Sequence, residues 1–216
     1  MKTAIIIGAT GLIGSNLVQQ LSENENFSTV KIFTRRSVGI NHPKIEEHLV
    51  DFDQINDWQD QLTGDVLFST MGTTIRKAGS KVAQYKIDYT YQLDTAVAAA
   101  NNGVESYCLV SSAGANPKSS VFYSKMKGEL DEAVKELGFK HISIFRPSIL
   151  AGERKESRMG EKIGLVLARI FTKIPGLRKY KPIQGAIVAA AMIKVSETSN
   201  KRPAFEIYTL DQIFHI

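Results

Sequence analysis

Three polar side chains near the middle of the chain have the types and the spacing needed to move a proton on a carbonyl oxygen. Tyr123 and Lys127 stand four residues apart, and Ser112 precedes Tyr123 by eleven residues. On a helix, a spacing of four places the phenol and the ammonium on one face. The ammonium would lower the pKa of the phenol from about 10 toward neutrality, so that Tyr123 could donate or accept a proton. We therefore predict Ser112, Tyr123 and Lys127 as catalytic residues.

The serine of this set belongs to a pair, Ser111 and Ser112, at the end of an apolar strand. A serine hydroxyl there would polarise the oxygen of a substrate. Neighbouring residues of a strand face opposite sides, so only one of the two hydroxyls can point toward the substrate. We favour Ser112, because the chain is already turning at that residue.

A glycine-rich turn at the start of the chain predicts where a cofactor would bind. An apolar run ends at Gly8, and Gly11 and Gly14 follow at three-residue intervals before apolar residues recur at helical spacing. Gly8 would make the tight turn, Gly11 would let backbone N–H groups approach a pyrophosphate, and Gly14 would let the helix pack closely on the strand. The helix N-terminus adds unpaired donors and partial positive charge. The alternative is a glycine-rich turn in an ordinary strand–helix unit.

The end of the second strand predicts which dinucleotide is bound. An Asp or Glu in that place would bind the ribose 2′-hydroxyl, whereas arginine accommodates a 2′-phosphate. Here Arg35 and Arg36 follow the strand, and no carboxylate occurs before Glu46. Paired guanidinium groups can clamp a phosphate, so NADP(H) is favoured over NAD(H). The competing interpretation is two surface arginines at a strand end.

Two more strand ends contribute to the predicted cofactor site, because ligands bind at the carboxyl ends of parallel strands. Asp51 and Phe52 are placed for the edge and the face of the adenine. Met71 and Gly72 come where the backbone must pass the ribose and nicotinamide side. Lys127 could also hold the hydroxyls of the nicotinamide ribose.

The elements that must position these residues alternate between strands and helices. Strands are predicted at residues 29–34, 48–52, 65–70, 106–111 and 141–145, with helices at 57–62, 81–101 and 123–137. This alternation predicts an α/β fold with a doubly wound parallel sheet, the Rossmann fold. From residue 148 onward the rhythm breaks into helices at 163–171 and 183–196 and an apolar segment at 205–216. We predict one domain, residues 1–216, in which residues 148–216 contribute a small C-terminal cap on the substrate side.

Composition limits the setting in which the protein works. The chain has 216 residues, a net charge of +5 and one cysteine, Cys108, which predicts a reducing compartment and no disulfide within the chain. The first apolar stretch is too short for a signal peptide, and we predict a cytoplasmic location. No segment is long enough to span a membrane. The four histidines lack metal-ligand spacing, and the basic residues between 154 and 181 lack a nucleic-acid motif, so we expect no metal, no membrane and no nucleic acid.

Several motifs together resemble an atypical short-chain dehydrogenase/reductase. They are GATGLIG at 8–14, SSAGA at 111–115, YSKMK at 123–127 and FRPSILAGER at 145–154. The branch it resembles most is the oxidoreductase-like Tat-interacting protein family, through FTRR at 33–36 and MGTTIRKAG at 71–79. The resemblance implies NADP(H) binding and an active centre at Tyr123 and Lys127. The residues implied in cofactor binding, beyond those already named, are Thr10, Leu12, Ile13, Leu150 and Arg158.

Two features depart from the pattern of that superfamily. Asp88 stands about where many members have an asparagine that orders the lysine of the proton relay. The loop from Ser112 to Tyr123 is also tighter than usual, which leaves less of a lid.

We predict an NADP(H)-dependent oxidoreductase that transfers a hydride to or from a small carbonyl or alcohol. The alternative is a non-catalytic NADP(H)-binding sensor or scaffold that acts through protein partners. An isomerase or epimerase could use the same side chains with a retained cofactor. The partner is then a small-molecule substrate, and the resemblance leaves open a homodimer or a protein partner.

Overall fold

The computed structural model describes residues 1–151 and 181–216, and that part of the chain is built around one parallel β-sheet. The order of its seven strands is β3-β2-β1-β4-β5-β6-β9. They are β1 (Lys2–Ile7), β2 (Phe27–Thr34), β3 (Ile45–Leu49), β4 (Val66–Ser69), β5 (Ser106–Val110), β6 (His141–Arg146) and β9 (Phe205–Thr209). A separate parallel pair is formed by β7 (Leu150–Ala151) and β8 (Ile183–Gln184). The fold is the predicted Rossmann-type α/β fold.

The register of the central strands brings the predicted site residues to one edge. Ile7, the last residue of β1, pairs with Phe33 of β2 on one side and with Ser69 of β4 on the other. The strand order reverses between β1 and β4, and a crevice for a ligand forms at such a switch point. The segments that begin at Gly8, Arg35 and Thr70 therefore leave the sheet side by side.

Helices cover both faces of the sheet. They are α1 (Leu12–Glu23), α2 (Ile75–Ala78), α3 (Lys81–Tyr85), α4 (Tyr91–Asn101), α5 (Phe122–Lys135) and α6 (Gly185–Glu197). On one face α1 and α6 pack with Ile6 and Ile32, and on the other α4 and α5 pack with Ile5 and Leu67. A π-helical turn, Lys86–Thr90, joins α3 to α4. The segment 81–101 is thus helical over the predicted range, and the π turn falls at Asp88.

Two elements differ from their predicted positions. The third strand occupies Ile45–Leu49 rather than 48–52, because these five residues pair with Val30 to Thr34 of β2 and the chain then turns away. Charged residues at the start of this edge strand interrupt the apolar pattern, so the sequence does not indicate where the strand begins. The helix predicted at 57–62 is replaced by two 3-10 turns, Ile55–Asp57 and Gln59–Gln61, whose geometry is set by the burial of Trp58.

The described part of the predicted cap contains elements of the main sheet. β9 pairs with β6 as the outermost strand, and α6 packs against α1. At Gly185 the contact is so close that an added Cβ would lie 2.6 Å from the carbonyl oxygen of Leu12. Residues 183–209 therefore complete the sheet and its helical layer. The helix predicted at 163–171 lies outside the described residues, and a cap formed by residues 148–216 stays a prediction.

Candidate cofactor and proton-transfer site

The turn after β1 is held against the end of β4 and the start of α1. Gly8 has a φ of +84°, a conformation in which a side chain would be strained, and an added Cβ would lie 2.6 Å from the nitrogen of Met71. An added Cβ at Gly14 would lie 2.2 Å from the carbonyl oxygen of Gly8. The glycines at positions 8 and 14 are therefore required by two close backbone contacts.

The same turn presents backbone donors at the carboxyl edge of the sheet. Gly11 is the N-cap of α1, no side chain caps this helix, and its first turn has no acidic residue. Its first N–H groups have no helical partner, so they can bind an anion together with the positive end of the helix dipole. Thr10 is exposed and Leu12 is half-buried, whereas the side chain of Ile13 lies in the core and leaves only its backbone for a ligand.

Arg35 and Arg36 are both exposed at the end of β2, and neither forms an ion pair with any residue in the described ranges. Hydrogen bonds to both ends of their loop hold it in place. Thr34 Oγ1 donates to the carbonyl oxygen of Arg36 at 3.0 Å, and the nitrogen of Val38 donates to Glu47 Oε1 at 2.5 Å. The role of Glu47 is visible only in the structure, because β3 brings this carboxylate back beside the loop.

The two residues predicted to contact adenine have different environments. The Asp51 carboxylate is exposed and accepts a hydrogen bond from the nitrogen of Asp53 at 2.9 Å. Phe52 is only 5% exposed, and its ring packs against Trp58 and Tyr91 at centroid distances of 5.3 and 5.5 Å. The ring of Phe52 therefore belongs to the core, and Asp51 is the member of the pair that lies at the surface.

The loop that contains Met71 and Gly72 is held from the helix that follows it. The nitrogen of Thr73 donates to Asp88 Oδ1 at 2.7 Å, and Gln84 Nε2 donates to the carbonyl oxygen of Thr73 at 3.0 Å. Asp88 is fully buried at the π turn. Asp88 stands where many members of the superfamily have an asparagine. Here it accepts a hydrogen bond from the backbone nitrogen two residues after Met71.

Tyr123 and Lys127 share one face of α5 but lie at different depths. Tyr123, in the first turn, is 41% exposed, whereas Lys127 is 2% exposed. Burial lowers the pKa of the Lys127 ammonium, and the Asp88 and Asp131 carboxylates oppose this effect. Lys127 makes no hydrogen bond with any described residue, so its three donors are available at the site.

Ser111 and Ser112 are separated by their burial. Ser111 is 5% exposed, and its hydroxyl lowers the pKa of the buried Asp131 carboxyl, against the effect of burial. Ser112 is half-buried and begins the loop to α5. This arrangement leaves Ser112 as the serine nearer the open edge, and its contact with a substrate stays a prediction.

A residue that the sequence analysis missed anchors the short loop between β5 and α5. An added Cβ at Gly128 would lie 2.2 Å from the nitrogen of Pro117 and 2.3 Å from the carbonyl carbon of Asn116. The nitrogen of Asn116 also donates to the carbonyl oxygen of Ser124 at 2.9 Å. The loop therefore lies directly on α5, which fixes the position of Ser112 relative to Tyr123. A glycine within an otherwise helical pattern indicates a close packing contact, and Gly128 could have been recognised in this way.

Two buried carboxylates, Asp88 and Asp131, act on the lysine. Burial raises the pKa of Asp88, and Lys127, Gln84 and Thr73 oppose the rise. Burial likewise raises the pKa of Asp131, while Ser111, Arg146 and Lys127 favour its charged form. Asp131 and Arg146 form an ion pair of 2.8 Å between Oδ2 and Nη2. Neither Asp131 nor Arg146 is predicted as a site residue from the sequence, because fifteen residues separate the two partners of this ion pair.

The two remaining residues implied by the resemblance come after β6. Leu150 lies in β7, is half-buried, pairs with Ile183 and packs against the core on the α1 side of the sheet. Arg158 lies outside the described residues.

Comparison with known proteins identifies the family. A family described as NAD(P)H-binding matches residues 8–163. The chain belongs to this NAD(P)H-binding family. The protein fmp52 of Aspergillus fumigatus is 35% identical over 201 residues, which are 89% of this chain and 86% of that protein. FMP52 of Saccharomyces cerevisiae is 38% identical over 175 residues, which are 79% of this chain and 75% of that protein.

A solved structure from the same fold supports the architecture. The chain resembles a UDP-N-acetylglucosamine 4-epimerase from Methanobrevibacter ruminantium with a TM-score of 0.71 and 17% identity, over 99% of this chain and 80% of that one. At this identity the likeness establishes the Rossmann-like fold alone.

The predicted cytoplasmic location is wrong, because both fungal relatives are named as mitochondrial proteins. Within residues 1–151 and 181–216, the structure has no helix with the length and apolarity of a membrane span.

Proposed function

We propose that this protein is an NADP(H)-dependent oxidoreductase that transfers a hydride to or from a small carbonyl or alcohol. The observation that carries the proposal is a buried lysine, Lys127, whose ammonium makes no hydrogen bond in the described structure and lies one helical turn after Tyr123. Asp88, whose charge acts on this lysine, accepts a hydrogen bond from the loop after β4, and that loop lies against the glycine turn. These contacts support a single site that would include the proton-transfer residues and the glycine turn.

The residues at the turn fit a dinucleotide. The uncapped start of α1 and the positive φ of Gly8 make room for a pyrophosphate without a side chain in the way. When bound, the nicotinamide would supply or accept the hydride. Arg35 and Arg36 would contact the 2′-phosphate, Asp51 would lie beside the adenine, and Lys127 would donate to the nicotinamide ribose.

The protein side chains would handle the proton and orient the substrate. Tyr123 would donate its phenolic proton to the substrate oxygen in reduction and accept it in oxidation. Lys127 would stabilise the phenolate of Tyr123 whenever the phenol has given up its proton, because an adjacent positive charge favours the ionised form. Ser112 would donate a hydrogen bond to the same substrate oxygen and hold it in line with Tyr123.

A panel of small aldehydes and ketones, with loss of reduced nicotinamide followed by absorbance, tests this function. We expect the wild type to consume NADPH with at least one substrate and Tyr123→Phe to lose about 10²–10⁴-fold in turnover. NADPH affinity, measured by calorimetry, should be retained in this variant. Tyr85→Phe is the matched control, because the Tyr85 hydroxyl donates to Glu129 at 3.2 Å on the other side of α5.

Two results would contradict the proposal. Full turnover by Tyr123→Phe would remove the proton-transfer role of that residue. Tight NADPH binding without turnover on any member of the panel would favour the sensor or scaffold, which keeps the cofactor site and needs no substrate.

A further inference from the structure

We propose that Asp131 is a positioning residue of the site, whose carboxylate keeps the buried Lys127 in its charged form and fixes α5 to β6 through Arg146. The inference deepens the proposed function, on which it rests for the use that is made of the lysine. Asp131 itself would touch neither the substrate nor the cofactor.

The hydrogen bonds of Asp131 are distributed unequally over its two oxygens. Arg146 Nε and Nη2 both donate to Oδ2, at 2.9 and 2.8 Å. Oδ1 is buried and has no hydrogen-bond partner among the residues of the described ranges. The Ser111 hydroxyl, which is also buried without a partner, favours the charged form of Asp131 but supplies no positive charge. The carboxylate is fully buried, so this unpaired oxygen would be costly unless a positive charge faces it.

Lys127 is the positive group that shares a helix face with this carboxylate. It precedes Asp131 by one turn of α5, and residues four apart lie on one face of a helix. Both side chains are buried, and the Lys127 ammonium also lacks a hydrogen bond in the described part of the chain. Asp131 therefore has an unused acceptor on the same helix face as an ammonium with unused donors.

The charges around this pair alternate in sign. Asp88 of the π turn and Asp131 are the carboxylates that act on Lys127, and Arg146 of β6 lies beyond Asp131. Tyr123 lies one turn earlier on α5, and the buried Tyr107 of β5 interacts with Asp131 as a neutral neighbour. Burial alone would lower the pKa of Lys127, and the two carboxylates counter this effect.

Asp88 and Asp131 are not equivalent partners of the lysine. Both oxygens of Asp88 already accept hydrogen bonds, from the nitrogen of Thr73 at 2.7 Å and from Gln84 Nε2 at 3.3 Å. Asp131 keeps one oxygen without a partner. Asp88 has the larger effect of the two on the pKa of Lys127, followed by Asp131. Loss of the Asp131 charge should therefore leave Lys127 with one carboxylate, whose oxygens already accept hydrogen bonds from Thr73 and Gln84.

The test is a direct titration of Lys127 in the full chain without cofactor. Lysines labelled with ¹³C at Cε are followed by NMR against pH, and the Lys127 signal is assigned by its loss in Lys127→Met. In Asp131→Asn we expect the pKa of Lys127 to fall by about 1 unit or more, the shift typical of losing a nearby opposite charge. Arg146→Lys keeps the carboxylate and weakens only the two-donor contact, so the titration of Lys127 should move much less.

A fully folded Asp131→Asn protein with an unmoved Lys127 titration would overturn the inference and leave Asp131 as a tether between helix and strand. Because that variant leaves Arg146 without its buried partner, the double variant Asp131→Asn/Arg146→Gln provides the second measurement. It removes both members of the ion pair, and the lower pKa of Lys127 is expected there as well. An unchanged value in the double variant would also overturn the inference.

The titration is separate from the test of the proposed function. It uses protein without NADPH and reports only the charge of Lys127. Failure of the wild type to bind NADPH in calorimetry would contradict the proposed function, whatever the titration shows.

Discussion

Arg35 and Arg36 offer a prediction at the scale of single residues. Both guanidinium groups are exposed at the end of β2, without an ion pair among described residues. A hydrogen bond to a charged group contributes about 1.5–3 kcal/mol, so Arg35→Ala or Arg36→Ala should weaken NADPH binding roughly 10- to 100-fold. NADH, which lacks the 2′-phosphate, should bind with little change. Calorimetric titration of both cofactors measures the ratio.

The control for this prediction is a charge reversal near the start of β1, at the end of the strands opposite to Arg35. Lys194 is exposed on α6, near Ser196, whose carbonyl oxygen accepts from Lys2 at the start of β1. Lys194→Glu should leave NADPH affinity unchanged, whereas Arg35→Glu should reduce it. Equal effects of the two reversals would show that overall charge, and not a phosphate contact, controls the affinity.

At the scale of elements, the junction of β1 with α1 depends on the absence of one side chain. A Cβ at Gly14 would lie 2.2 Å from the carbonyl oxygen of Gly8, so Gly14→Ala must push the helix away from the strand. Such overpacking costs about 1–3 kcal/mol of the free energy of unfolding. Because the same shift moves the N–H groups of α1, the variant should also lose NADPH affinity. Urea unfolding and calorimetry measure the two effects.

Gly138 provides the comparison for Gly14, because an added Cβ there meets no atom within 4 Å. Gly138→Ala should leave both the unfolding free energy and NADPH affinity near the wild-type values. A Gly14→Ala protein as stable as Gly138→Ala would show that α1 can shift without cost.

The buried acid of the π turn, which joins α3 to α4, should influence stability in acid. Burial raises the pKa of Asp88 in the folded chain above the value of an exposed aspartate. The folded state then binds the proton more tightly than the unfolded state. The contribution of this group to the unfolding free energy is therefore fully present below pH 3.8 and is lost as the pH rises through its folded-state pKa.

Asp88→Asn should remove this contribution while keeping an oxygen for the nitrogen of Thr73. The measurement is the unfolding free energy at pH 7 and at pH 4, obtained with urea. The change from pH 7 to pH 4 should be less favourable in the variant than in the wild type. Asp211→Asn, at an exposed position, is the control. An identical pH dependence in Asp88→Asn and wild type would contradict the prediction.

At the scale of the whole molecule, NADPH should stabilise the fold, because its proposed site joins the segments that follow β1, β2 and β4. A ligand at about 100 times its Kd adds about 2.7 kcal/mol to the free energy of unfolding. For a chain of this size, that amount raises Tm by about 5–10 °C. NADH at the same concentration should give a smaller rise. Equal rises with both cofactors in a thermal melt would argue against the 2′-phosphate contact.

Local pattern was enough to determine the architecture and the position of the glycine turn between β1 and α1. Alternating apolar strands and amphipathic helices predict a parallel sheet, and the glycine spacing reflects backbone contacts within one strand–turn–helix unit. The helical segment 81–101 and the position of Tyr123 and Lys127 one turn apart on one helix follow from periodicity in the same way. These features depend on neighbours within a few residues, which a sequence displays directly.

Tertiary structure alone decided which distant residues meet. It buried Phe52 against Trp58 and Tyr91, and it separated Ser111 from Ser112 by depth. It also joined Asp131 to Arg146, fifteen residues away, and made β9 part of the sheet. Periodicity indicates which face of a helix or strand is buried. Which distant side chains meet there depends on how the elements pack in the tertiary structure. The surroundings of Lys127 are therefore a property of the fold rather than of its local sequence.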